Sequence, residues 1–303
     1  MDYYTDWGKN VNRLFAQSRG LFRSSLLSLR GGAPETILFA ISGAMWYHFG
    51  RGYRSAKPRR DTMKMIDVKE LRLDVHTHTI ASGHAYGTIR EMVTAAAEQG
   101  LDLLGITEHG PGIPGTCQPI YFCNLADVPR RLSGVELIHG CEVNVLDDGT
   151  LSLPQRYMDW LDYAIVGIHL LCYHDAGPER NTDHLISCMK HEKVRFVSHP
   201  DSDRMPVQYE RLVRAAKEYH VALEVNNSSL RHPEKRPGCV KNYKEMLALC
   251  KRYESPVIVN SDAHDPSAVG RFTEACALLN EVGFDRELIL NTDVEKFKAF
   301  VGL

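Results

Sequence analysis

Nine residues scattered between positions 76 and 264 have side chains that bind metal: His76, His78, His84, His109, Glu142, His169, His199, Asp262 and His264. Seven imidazoles and two carboxylates are too many donors for one ion. A mixed nitrogen and oxygen set suits zinc, manganese or iron, whereas magnesium and calcium sites are dominated by oxygen. Divalent ions held about 3.5 to 4 Å apart, with open positions, can share a hydroxide and clamp the attacking and leaving oxygens of a phosphoryl ester. A bridging carboxylate would hold two ions at that spacing, and Glu142 is the only glutamate of the set.

The elements that must position these side chains are legible around them. The aliphatic run Leu71 to Val75 reads as a short buried strand, and His76-Thr77-His78 continues it. Residues two apart in a strand point the same way, so His76 and His78 can serve one ion, while His84, farther along the loop, could reach a second. Six more strands are expected at 101–107, 135–143, 163–168, 194–197, 221–225 and 256–259. They lead into Glu108-His109, Glu142, His169, His199, Asn226-Asn227 and Asp262-Ala263-His264, so six of the seven strand ends carry a candidate ligand.

Amphipathic helical stretches separate the strands, which predicts β/α units around a parallel sheet or barrel. Such barrels build their sites at the C-terminal ends of the strands. Thr88 and Glu91 predict a capping box with Gly100 closing the helix, a helix is expected over 268–282, and Thr292 with Glu295 predicts a box for the last one. The histidines at 48, 139, 174, 184, 191, 220 and 232 fall outside the strand-end register and read as structural or solvated.

Composition narrows the class. The 303 residues are 44% hydrophobic and 24% charged, enough for one large domain or two small ones. Eight scattered cysteines form no C-x-x-C pair and no disulfide framework, which fits a reducing cytosol and a cytoplasmic protein. Residues 1–64 hold 11 Lys and Arg against 4 Asp and Glu, leaving 25 against 34 for residues 65–303, a net −9. So acidic a body lacks the basic footprint of a nucleic-acid binder. No GxGxxG or Walker loop is present, so no dinucleotide or NTP fold is expected.

Residues 1–64 form an N-terminal extension, Arg- and Ser-rich, then apolar, then basic, that does not continue the β/α rhythm. Its uncharged run of 14 residues is short of the ~20 that span a bilayer. A disordered or loosely helical appendage, an interfacial membrane helix and a transit sequence are its readings, with Met63 or Met65 as an alternative start.

The chain resembles the PHP (polymerase and histidinol phosphatase) family, and within it the YcdX-like phosphatases with three metals. The resemblance runs from about Ile66 to the C-terminus. It rests on His76-Thr77-His78, Ala81-Ser82-Gly83-His84-Ala85-Tyr86, Ile106-Thr107-Glu108-His109-Gly110, Gly140-Cys141-Glu142-Val143-Asn144, Gly167-Ile168-His169, Ser198-His199-Pro200, the segment 222–229 and Ser261-Asp262-Ala263-His264. It implies a distorted seven-stranded β/α (TIM-like) barrel over residues 65–303, with the extension as an appendage. It also implies three divalent ions, with zinc ahead of manganese or iron. One ion would take His76, His78, Glu142 and Asp262; another His84, His109 and His264; the third His169, His199 and the far oxygen of Glu142.

The activity implied is hydrolysis of a small-molecule phosphomonoester by a metal-bridging hydroxide without a covalent enzyme intermediate, with Glu142, Asp262 and His264 as the catalytic residues. Alternatives are a phosphodiesterase or nuclease on the same site, a histidinol phosphatase, and a non-catalytic metal-binding module. The family commonly has Asp where Glu108 stands, which points to a supporting role that tunes a neighbouring imidazole. Arg231 and Arg236 are the expected substrate contacts, chosen from a loop that also offers His232 and Lys235; the loop carrying His174, Asp175 and Arg180 is a further source. Membrane contact would run through residues 1–64.

Overall fold

The computed structural model describes residues 65–303, so the extension expected over 1–64, with its membrane and transit readings, lies outside the described residues. The strands are β1 (Leu73–Asp74), β2 (Leu103–His109), β3 (Arg131–Leu132), β4 (Val135–Asn144), β5 (Tyr163–Gly167), β6 (Val194–Val197), β7 (Ala222–Asn226) and β8 (Val257–Asn260). Seven run parallel in the order β1-β2-β4-β5-β6-β7-β8, curling into a nearly closed β/α barrel of the TIM-like class. The eighth, β3, pairs antiparallel with β4 through the two-residue turn Ser133-Gly134, whose φ values of 50° and 85° suit a hairpin. It is short and partly exposed, and so has no periodicity to announce it.

Burial on both faces explains why the parallel strands read as aliphatic runs. Alternate residues divide between two cores. Leu73, Leu103, Ile138, Tyr163, Ile165, Phe196 and Ile258 pack into one cluster inside the barrel, where Leu290 and Phe297 join them. Leu104, Leu137, Cys141, Val166 and Val259 face the helices. The Tyr163 hydroxyl crosses to donate to Val75 O at 2.7 Å, forming a floor beneath the strand ends. Gly105 makes that crossing possible, because a Cβ there would lie 2.1 Å from the tyrosine oxygen.

The seam between β1 and β8 is not a ladder. Thr77 and Ala263 form a single bridge, and His78 N donates to Ala263 O at 2.8 Å. Below it the buried Asn291 side chain stands in for a strand: its Oδ1 accepts from Val259 N at 2.7 Å and its Nδ2 donates to Leu73 O at 2.9 Å and Val259 O at 2.6 Å.

Helices fill the connections: α1 (Ile89–Glu98), α2 (Ile120–Asn124), α3 (Gln155–Met158), α4 (Pro178–Met189), α5 (Tyr209–Glu218), α6 (Asn227–Arg231), α7 (Cys239–Tyr253), α8 (Thr273–Glu281) and α9 (Val294–Val301). Helix α1 has the expected Thr88–Glu91 capping box, and Leu101 N to Ala96 O with Gly100 N to Ala97 O closes it as a Schellman motif. Helix α8 starts at Thr273 rather than 268, because Gly270, at φ 70°, turns its N–H to Asp74 Oδ2 at 3.0 Å. The last helix is capped by Asp293, which accepts from Glu295 N and Lys296 N, while Thr292 Oγ1 donates back to Ile289 O; the Thr292 box does not form. All eight cysteines are free thiols, and among the described residues no helix is long and apolar enough to cross a membrane.

Candidate metal centre

The sequence folds the nine candidate residues toward one end of the barrel. His76 and His78 leave β1 side by side, with Thr77 turned the other way so that its Oγ1 donates to Gly105 O at 2.7 Å. His109 ends β2 and Glu142 lies near the end of β4, paired in register with it. His169, His199 and the Asp262–His264 pair follow β5, β6 and β8.

Glu142 is the hub, and it is fully buried. Its Oε1 lies 2.9 Å from His199 Nε2 and 3.3 Å from His169 Nε2. Its Oε2 lies 2.9 Å from His109 Nδ1, 3.3 Å from His76 Nε2 and 3.6 Å from His78 Nε2. Asp262 Oδ1 faces the same point, 3.2 Å from His78 Nε2 and 3.6 Å from His76 Nε2. Nearer the mouth, His84 Nε2 and His264 Nε2 are 3.2 Å apart, and the His84 and His109 rings stack at 4.9 Å. A side chain at position 167 would intrude, since a Cβ on Gly167 would lie 3.3 Å from Glu142 Oε1 and 2.2 Å from Ser198 Oγ.

Supporting groups fix which nitrogen faces inward. His76 Nδ1 is 2.7 Å from Glu224 Oε1, an acceptor that also receives Asn260 Nδ2 at 2.9 Å. Asn144 Nδ2 donates to Gly110 O and Pro111 O, which leaves its Oδ1 to accept from His169 Nδ1 at 2.7 Å. Ser82 Oγ donates to Glu108 Oε2 at 2.5 Å, so it can only accept from His78 Nδ1, at 3.2 Å, and from His109 N. In each case Nδ1 makes the supporting bond and Nε2 is the nitrogen that faces the centre. Glu108 therefore acts as the expected support, reaching its imidazole through Ser82. Asp74 is held by Ser261 Oγ at 2.5 Å and by Gly270 N, and burial pushes its carboxyl up to about 6.

Five buried polar atoms here have no hydrogen-bond partner: His76 Nε2, His78 Nε2, His109 Nδ1, Glu142 Oε2 and Asp262 Oδ1. An orphaned buried polar atom costs about 1–3 kcal/mol, so five converging on one place work against stability unless a cation satisfies them. His78, His109 and His264, then His76, His78 and Asp262, then His109, Glu142 and His169 each present donor atoms within 4.8 Å of one another. The donor chemistry, with imidazole in excess, fits divalent transition metals.

Electrostatics agree. Burial opposes a charged Glu142, yet His76, His169 and His109 hold its carboxyl well below the usual range. Asp262 is likewise held well below its usual range against burial, by His76, His78 and His264. Burial and the neighbouring His109 and His264 push His78 well below the ordinary imidazole value. His199 and Asp262 have φ of 29° and 52°, the left-handed region, where backbone strain collects at functional sites.

Of the expected substrate contacts, Arg236 is engaged: its Nε and Nη2 lie 2.8 and 2.6 Å from the buried Asp201 Oδ1, and Nη2 is 2.5 Å from His199 O. The loop charge was legible, but not the carboxylate across from it. Arg231 ends α6 and lines neither cavity beside the histidines. His174 is on the surface, paired with Asp147 Oδ2 at 2.8 Å, and Arg180 lines a shallow depression at the start of α4, apart from the cluster. Sequence reasoning assigned no role to Glu224, Asn144, Asn260 or Asp201. Polar residues interrupting aliphatic strand runs, as in Ala222-Leu223-Glu224-Val225-Asn226, were the available signal.

The model of the PHP domain matches residues 74–228. A probable phosphatase of Clostridium novyi is 40% identical over 230 residues, covering 76% of this chain and 93% of that protein. A probable phosphatase of Thermoanaerobacter sp. is 40% identical over 234 residues, covering 77% and 95%. Among solved structures, the histidinol phosphate phosphatase of Lactococcus lactis, complexed with zinc, L-histidinol and phosphate, is 17% identical with a TM-score of 0.48, covering 71% of this chain and 95% of that one. At that distance it adds nothing to the reading of the site.

Proposed function

The chain belongs to the PHP domain family and is a metal-dependent phosphatase, and on that premise we propose that it hydrolyses small phosphomonoesters at a site holding three divalent ions, zinc foremost. The observation that carries this is the division of Glu142, one oxygen toward His169 and His199, the other toward His76, His78 and His109. A single carboxylate so placed can join two ions.

His76, His78, Glu142 and Asp262 would hold one ion, His84, His109 and His264 a second, and His169, His199 and Glu142 Oε1 the third. When bound, such ions supply a hydroxide at neutral pH and positive charge for the phosphoryl oxygens. The chain does the rest. Glu142 and Asp262 stay ionised among the imidazoles and keep the nitrogens aimed inward. Asn226 Nδ2 donates to Asp262 Oδ2 at 3.2 Å, which leaves Oδ1 turned to the centre, where it would hold the first ion. His264, at the mouth, donates its Nδ1–H to Asp262 O at 3.1 Å, which leaves Nε2 free to face the second ion. No serine or cysteine nucleophile is required, and the eight free thiols fit a reducing, cytoplasmic setting.

Metal analysis of the full chain tests the reading. Titration of zinc into chelated protein should saturate at three equivalents and restore turnover of p-nitrophenyl phosphate. Saturation at one equivalent would overturn the three-ion site.

A further inference from the structure

Two cavities open from the histidine cluster and share a wall. The smaller, about 230 Å³, is bounded by His109, His169, His199, Asp262 and His264, with Ser228 and Lys235. The larger, about 330 Å³, runs from His84, His109, His169 and His199 toward Ile113, Ile168, Leu170, Leu171, Met205 and Val207, with Arg204 and Lys235 also bordering it. Lys235 thus stands where the metal-facing space meets the apolar one. Among the described residues neither the Lys235 ammonium nor the Arg204 guanidinium has a hydrogen bond or ion pair. Leu170 and Leu171 are 57% and 69% exposed, large apolar side chains held in water beside a polar centre.

The charges of the larger cavity are one-sided. Its single carboxylate is Asp201, whose Oδ1 is taken by Arg236. The other oxygen, Oδ2, is buried and unpartnered. An ammonium group on the substrate's alcohol would meet Arg204 and Lys235, opposed only by a carboxylate already paired with Arg236. An uncharged alkyl or aryl group would meet six apolar side chains.

Resting on the phosphomonoesterase reading, we propose that the larger cavity receives the alcohol portion of the substrate, that this portion is apolar and uncharged, and that Lys235 binds the phosphoryl oxygens at the junction. The substrate class is then alkyl or aryl phosphates rather than amino-alcohol or sugar phosphates. Lys235 replaces Arg231 and Arg236 as the phosphate contact, and Arg236 holds the His199 loop through Asp201.

The experiment compares kcat/KM of the full chain, loaded with zinc and separately with manganese, for n-hexyl, 6-aminohexyl and methyl phosphate. These esters have similar leaving groups, so differences report binding of the alcohol. Hexyl phosphate should exceed both others by at least about tenfold, as burial of several methylenes allows. Leu171→Ser and Met205→Ser should narrow the hexyl-to-methyl ratio, and Lys235→Met should raise KM for all three esters more than it lowers kcat. A 6-aminohexyl ester turned over as well as the hexyl ester would overturn the proposal and assign Asp201 to recognition of a cation. Equal turnover of hexyl and methyl esters would also overturn it. p-Nitrophenyl phosphate separates the two levels: if it is hydrolysed while the alkyl preference is absent, only the substrate class fails. If it too is untouched, the phosphatase reading fails with it.

Discussion

His76 Nδ1 donates to Glu224 Oε1 across 2.7 Å, with both side chains fully buried. Burial alone would discharge the imidazole, yet Glu224, Glu142 and Asp262 together hold His76 well above the ordinary value. Glu224 in turn accepts from His199 N at 2.8 Å and Asn226 Nδ2 at 3.1 Å, so one carboxylate sets both an imidazole and the loop of a second. Replacing it with Gln keeps the shape and removes the strong acceptor. Glu224→Gln should weaken zinc binding by about 10- to 100-fold, read by calorimetric titration. Unchanged affinity would remove Glu224 from the site's support.

Glu108 should not tolerate shortening. It accepts from Thr79 N at 3.0 Å, from Thr79 Oγ1 at 2.5 Å and from Ser82 Oγ at 2.5 Å. In Glu108→Asp the carboxylate withdraws by one methylene, Ser82 loses its fixed hydroxyl direction, and His78 loses its set tautomer. The expected cost is about 1–3 kcal/mol of stability, measured by urea unfolding, together with weaker metal binding. A variant as stable as the parent would show that a water or a shifted backbone fills the gap.

Asn291 closes the seam between β1 and β8, and its amide satisfies three backbone groups. Asn291→Ala leaves Val259 N, Val259 O and Leu73 O without those partners. A loss of about 3–5 kcal/mol is expected from several orphaned buried groups. Denaturant midpoints check this, and a loss below 1 kcal/mol would mean that β1 and β8 close the seam without it.

His139 predicts acid sensitivity away from the site. It is buried, its two ring nitrogens have no partner, and burial, with Arg130 nearby, pushes its imidazole down to about 4. The folded state therefore keeps it neutral while the unfolded chain takes up a proton below about 6.5. Its contribution is fully present above pH 6.5 and is lost as pH falls toward 4, reaching about 2 kcal/mol at pH 5. His139→Leu should lose correspondingly less stability between pH 7 and pH 5; equal losses in both proteins would place the acid sensitivity elsewhere.

The cluster of donors was legible because most of its members close or directly follow a local apolar run, so the strand-end register aligned His109, Glu142, His169 and His199 before any contact was known, while His84 sits in the loop beyond β1. The barrel followed from the same rhythm. What stayed hidden depends on contacts across the fold. Asn291 lies in a segment without periodicity, and nothing near it announces that Val259 and Leu73 lack partners. Arg236 read as a phosphate contact because its charge is local, while Asp201 is 35 residues away. Helix α8 was drawn too early because the apolar pattern continues through Ala268 and Val269, and only the Gly270 contact to Asp74 shows why the chain is still turning there.

The most direct test is the rate of p-nitrophenyl phosphate hydrolysis against that of bis(p-nitrophenyl) phosphate, measured on the full chain before chelation, after it, and after zinc or manganese is restored. Monoester turnover that disappears with the metal, returns with it, exceeds diester turnover and falls by at least about 10³-fold in Glu142→Gln is the predicted result. Diester turnover in excess of monoester turnover, or a rate indifferent to chelation, would contradict the account.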